Sequence, residues 1–253
     1  MTTTIPTYDA IRAIAVRLVQ EHYPSAVVAI IGGSFASGRQ TVSSDIDLLL
    51  LFDHVDCAWR DTLVAEGRTV ELFAHDLATF TYFCADIDAP DGKVPLVRMV
   101  VEGENILAAG EPSARLHALA QAIDAAGPPV LDVENLQRRR YAITTALEDL
   151  VDSTQPGEAL AVACQLYEWL ADLHLRAAGQ WSGSGKHLFR RLQAWDAAIA
   201  TQLDGALRLV ASDLPAGQQA FEQVSAAVLA PVGGPLLAGF TLPAPAHWRS
   251  TPA

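Results

Sequence analysis

The sequence predicts an α+β chain, with a small mixed-sheet domain over residues 1–127 and an all-α helical bundle over residues 128–253. Three observations lead there. In the first half, short β-branched or leucine-rich runs alternate with helical patterns. In the second half the helical patterns lengthen and the strand signals stop. Between the halves stands the pair Pro128-Pro129, which interrupts either periodicity.

Thr7 followed by "YDAIRAIAVRLVQEHY" reads as an N-capped amphipathic helix, with Ile11, Ile14, Leu18 and Tyr23 on one side and Pro24-Ser25 at its end. "AVVAII", residues 26–31, is a short apolar run bounded by turn residues and predicts a buried strand. "GGSFASGRQTVSS" follows as a turn or a short helix start. "DIDLLLLF", residues 45–52, is the second strand and "RTVELFAH", residues 68–75, the third. A helix is expected from Asp76 onwards, then a loop through "DAPDGKVPLV", then a helix closing on Gly127. Beyond the prolines, helices are expected at about 132–151, 157–178, 186–204 and 215–229, followed by a Pro- and Gly-rich tail without regular structure.

Composition excludes several classes. With 51% hydrophobic and 18% charged residues, the chain has the make-up of a folded protein. Cys57, Cys84 and Cys164 lie far apart without CxxC spacing, which fits a reducing cytosol and offers no zinc or redox motif. No HxxH or HExxH arrangement supports a zinc enzyme. The start of the chain has no basic region followed by an apolar core, so no signal peptide is expected. No apolar run approaches the roughly 20 residues of a membrane span. The expected location is cytoplasmic. A formal net charge of −12 repels nucleic-acid phosphates and suits a cationic small molecule. Arg138-Arg139-Arg140 reads as a solvated or salt-bridged helix face, and Tyr167, Trp169, Trp181 and Trp195 as packing aromatics.

The chemistry is concentrated in "GGSFASGRQTVSSDIDLLLLF", residues 32–52. Ionised carboxylates leave water reluctantly, yet Asp45 and Asp47 open a run of four leucines. In an extended strand the two share a face, with Cα atoms roughly 7 Å apart. At 4 Å and an effective dielectric near 20, two such charges repel by about 4 kcal/mol, and a divalent ion between them reverses the sign. Glu71 interrupts the third strand in the same way and is the expected third carboxylate, so that three acids at a sheet edge hold two magnesium ions. Upstream, Gly32 and Gly33 permit a sharp turn, Ser34 offers its hydroxyl and amide to a phosphate, and Arg39 adds a fork of donors. "GSGK" at 183–186 is not a P-loop, since Gln180 and His187 occupy positions that motif reserves for Gly and Ser or Thr.

Gly-Ser followed about ten residues later by Asp-x-Asp at a strand start, with an acid on the next strand, resembles the polymerase-β-like nucleotidyltransferase superfamily. "SGRQTVSSDIDLLL" and "VELFAHD" look most like kanamycin nucleotidyltransferase and other antibiotic-modifying members. The resemblance covers roughly residues 26–76 in motif, and everything after about residue 130 matches only in layout. It implies transfer of a nucleoside monophosphate, usually from ATP, to a hydroxyl of a small acceptor, with release of pyrophosphate. By position, Gly33 and Ser34 would hold the β- and γ-phosphates, Asp45 and Asp47 would bind Mg2+, and Glu71 would be the third acid. Lys186 matches the lysine those enzymes carry in the helical half, but Ser182 stands where their catalytic glutamate would be. The base is then Glu71, Glu168 or Asp172. Antibiotic-modifying relatives often build the site across a homodimer, and helices within 157–204 are apolar enough to contribute.

Two alternatives stand beside this. One is modification of a protein by a toxin–antitoxin type nucleotidyltransferase, although the partner family's arginine–histidine ribonuclease signature is missing from residues 130–230. The other is a catalytically silent nucleotide-binding module.

Overall fold

A computed structural model describes residues 4–244. The chain divides into two units, Met1–Pro129 and Val130–Ala253.

The first unit is a five-stranded mixed sheet with helices. Thr7 accepts a hydrogen bond from the Ala10 amide at 3.3 Å and so caps α1 (Tyr8–His22). β1 (Val28–Ile31) and β2 (Ile46–Leu51) pair antiparallel, and between them sits a single helical turn, α2 (Gly33–Ala36). β3 (Trp59–Ala65) and β4 (Arg68–His75) form a hairpin closed by Glu66-Gly67, both at positive φ. The two-residue β5 (Glu104–Asn105) completes the order β3-β4-β2-β1-β5, in which β2 and β4 run parallel.

Alternation along the strands sorts the core. Ile46, Leu48 and Leu50 of β2, with Val70, Leu72 and Ala74 of β4, bury against Ile11, Ala15, Leu18 and Val19 of α1. The intervening residues face the other side, where α4 (Pro95–Glu102) packs on β1 and β2. Both faces of the sheet centre are therefore covered, as an unbroken leucine run requires.

Three elements of this unit depart from the expectation. β3 was not expected, because only Leu63 and Ala65 of its seven residues are even half-buried and no apolar alternation marks it. The expected loop through residues 88–97 ends in the start of α4, for which Pro95 supplies the first helical position. The helix expected from Asp76 is α3 (Leu77–Tyr82), continued by a π-helical turn at Phe83–Asp88 and a 3-10 turn at Ala89–Asp91. Asp76 and Thr79 cap it reciprocally, at 2.7 and 3.0 Å. α5 (Glu111–Ala126) closes on Gly127 as expected.

The second unit is helical: α6 (Val133–Asp152), α7 (Pro156–Ala177), α8 (Lys186–Trp195), α9 (Ala197–Ser212) and α10 (Leu214–Leu229). Leu150, Leu166, Leu170, Leu203 and Phe221 lie in its core. The helix expected over 186–204 is two helices. Asp196 terminates α8 and caps α9, accepting from the amides of Ala198 and Ile199 at 3.1 Å each. The Ile199 amide, together with His174 at 3.1 Å, holds this carboxyl below its ordinary range against the effect of burial. A carboxyl lowered in the folded state stabilises fully above its ordinary range and loses that contribution as pH falls through the folded value. Asp196→Ala should therefore cost about 0.5–2 kcal/mol at pH 7 and flatten the acid limb of the stability curve, read by urea denaturation between about pH 3 and 7.

Arg138 pairs with Glu134, Arg139 with Asp172, and Arg140 donates to the Gly234 and Gly233 carbonyls at 2.7 and 2.5 Å, so the basic run is salt-bridged and structural. Tyr141 stacks on Phe240 at 4.2 Å. The Pro- and Gly-rich segment thus lies along α6 as far as Phe240, and residues 245–253 of the expected tail lie outside the described residues. Trp181 is buried in the α7–α8 connection rather than in a helix, Tyr167 and Trp169 pack on the core, and Trp195 is exposed. Among the described residues no helix is long and apolar enough to cross a membrane. All three cysteines are free; burial pushes the Cys84 thiol up to about 12.

Candidate active site

The β2–β4 register brings Asp47 directly opposite Glu71. Neighbouring strands lie about 4.8 Å apart, and in-register residues of a parallel pair share a face, so both carboxylates leave the sheet on the side away from α1. Ile46 and Leu48 on one strand, and Val70 and Leu72 on the other, are wholly buried on the α1 side and lock this alignment. Asp47 is the only residue of β2 that is not fully buried.

Over Asp47 lies the turn that follows β1. The Gly32 amide donates to the Asp47 carbonyl at 2.9 Å. Gly33 has φ +62°, and a Cβ placed there would stand 1.7 Å from Oδ2 of Asp47. On the opposite side, a Cβ at Gly32 would meet the Met99 side chain of α4 at 2.9 Å. The Gly-Gly pair is thus required twice, for its left-handed backbone at Gly33 and for its thinness between Asp47 and Met99. Ser34 is half-buried in the first turn of α2, and the Arg39 amide closes on the Ser34 carbonyl at 2.9 Å while its side chain is exposed.

Asp45 stands one residue ahead of β2 and is exposed. Glu71 accepts from Arg60 of β3 at 2.8 Å, and the Arg60 guanidinium lies 5.0 Å over the Phe73 ring. The donor set suits a hard divalent cation in its chemistry, since Asp47 and Glu71 offer oxygens alone. It is not gathered as expected. Among the described residues no three acidic, histidine or cysteine side chains stand close enough together to hold a metal ion. The paired positions 47 and 71 are brought together; Asp45 lies off the strand, and the Glu71 carboxylate is turned to a guanidinium.

Lys186 is the exposed first residue of α8, in the second unit. Of the two acids considered there, Glu168 is exposed and Asp172 is held by Arg139. Arg60 is the residue of this region that sequence reading missed. Only the unexpected β3 hairpin, which sets Thr62 opposite Glu71 and Arg60 opposite Phe73, reveals it.

Residues 13–88 match the nucleotidyltransferase domain family. The matched stretch runs from α1 to the π-helical turn, under a third of the chain, and contains Gly33, Ser34, Arg39, Asp45, Asp47 and Glu71. A nucleotidyltransferase domain here supports the polymerase-β-like superfamily, nucleotidyl transfer in general terms and a nucleoside triphosphate substrate. A solved nucleotidyltransferase-like protein from Exiguobacterium sibiricum 255-15 is similar over 88% of this chain and 76% of that chain, at 12% sequence identity and a TM-score of 0.46. No curated protein matches the chain.

Proposed function

We propose that the chain is a magnesium-dependent nucleotidyltransferase that moves AMP from ATP onto a hydroxyl of a small acceptor and releases pyrophosphate. The observation that carries this reading is Asp47 facing Glu71 across adjacent parallel strands, with the thin Gly33 turn over the Asp47 carboxylate. In the reaction, the acceptor oxygen bonds to the α-phosphorus as the bond to the bridging oxygen breaks. The hydroxyl proton passes to a carboxylate, Glu71. Asp47, Glu71 and Asp45 would hold Mg2+, which supplies charge neutralisation for the triphosphate. The Gly33–Ser34 turn would receive the β- and γ-phosphates, with Arg39 as a further cationic donor. Holding the acceptor in line with the scissile bond accounts for much of the remaining rate.

The net charge of −12 favours a cationic acceptor, and an aminoglycoside-like antibiotic is the class we put first. The test is incubation of the full chain with ATP labelled at the α-phosphorus, Mg2+ and a panel of aminoglycosides and neutral polyols. The expected result is a labelled acceptor together with pyrophosphate. ATP binding without labelled product from any acceptor would count against transfer and favour a silent nucleotide-binding module.

A further inference from the structure

We infer that Arg60 is an internal counter-cation for Glu71 that weakens the hold of the carboxylate pair on a divalent ion. The inference rests on the metal-dependent reading above. In the β3–β4 register Thr62 lies opposite Glu71 and Arg60 opposite Phe73, so Arg60, Thr62, Phe73 and Glu71 share one face of the sheet. The β2–β4 register adds Asp47 to that face. One guanidinium nitrogen lies 2.8 Å from Oε2 of Glu71, and the guanidinium carbon lies 5.0 Å above the Phe73 ring. The ring's negative face holds the cation close over the sheet, so its charge stays beside the carboxylates although the side chain is 59% exposed. Glu71 itself is 27% exposed and cannot turn fully to water.

The consequence is a matter of charge. Asp47 and Glu71 together carry two negative charges, and Arg60 leaves a net of one. A divalent ion reaching Glu71 shares that carboxylate with a guanidinium. At roughly 6 Å a dication and a guanidinium repel enough, even at the dielectric of water, to weaken binding about tenfold. Arg60 would thus hold Glu71 along the site face and keep the ion loosely held.

The experiment is titration of the full chain with Mn2+ alone at low ionic strength, with free Mn2+ read by electron paramagnetic resonance, for the native protein, Arg60→Gln and Arg60→Lys. Melting temperatures without metal are measured alongside. We expect Arg60→Gln to bind Mn2+ about tenfold more tightly than the native protein, Arg60→Lys to stay within about threefold of it, and the difference to shrink in high salt. A merely structural Arg60 would lower the melting temperature of the Gln variant without tightening its metal binding. Equal or weaker binding by Arg60→Gln overturns the inference, as does a failure of all three proteins to take up Mn2+ at millimolar concentration. If only Arg60→Gln binds the ion, the inference holds and metal-dependent transfer by the native chain falls. If the native chain binds Mn2+ but transfers nothing, the transferase reading fails alone.

Discussion

Asp47→Asn should lower nucleotidyl transfer by on the order of 10³-fold. Asparagine keeps the shape that fits beneath Gly33, so the contact is not opened. What it removes is one negative charge from a pair set opposite each other in register. Loss of the anionic oxygen weakens the ligand set that the proposed chemistry needs. Thermal melts and the labelled-ATP assay on the same preparation check it, and activity within tenfold of native would remove Asp47 from the reaction.

Gly33→Ala should damage both properties. The added methyl would lie 1.7 Å from Asp47 Oδ2, a distance at which the carboxylate or the turn must move. The backbone is at φ +62°, where an L residue costs about 1–2 kcal/mol before any clash. With about 1–3 kcal/mol for the overlap, a total near 2–5 kcal/mol is expected from urea denaturation. A carboxylate displaced by about 1 Å should reduce transfer at least 10²-fold. Gly38→Ala is the control: its φ is +66°, but its added methyl meets nothing within 4 Å. It should show the backbone cost alone and near-native activity. If the two variants behave alike, the contact with Asp47 has no special weight.

The legible parts of the sequence were those with a strong local cause. A threonine cap preceded the α1 stripe, uninterrupted leucines marked β2, and Gly127 closed α5. The acids at 47 and 71 were legible because carboxylates in buried strands conflict with their neighbours. Illegible elements derive their order from partners distant in sequence. β3 is an exposed edge strand whose pairing with β4 supplies what its own apolar pattern lacks. The break at Asp196 looked like an ordinary helix interior, because Ala197–Ala198 continues the helical composition, and only the cap bonds to Ala198 and Ile199 show the corner. Arg60 was hidden for the same reason as its strand. Asp45 stands off the strand position expected for it. Two-residue spacing places it beside Asp47 only if the strand begins early enough, and β2 begins at Ile46.

The ladder joining β2 to β4 runs unbroken through six pairs, from Ile46 with Val70 to Leu51 with His75, and mostly greasy neighbours dictate it. Sliding either strand by one position would turn Asp47 or Glu71 into the buried layer against α1, so packing fixes the spacing of the pair. Positions 47 and 71 are therefore a mounting bracket as much as a reactive pair. Other donors grafted there, two histidines for instance, would inherit the same separation and bearing, giving the sheet a use as a scaffold for softer metals.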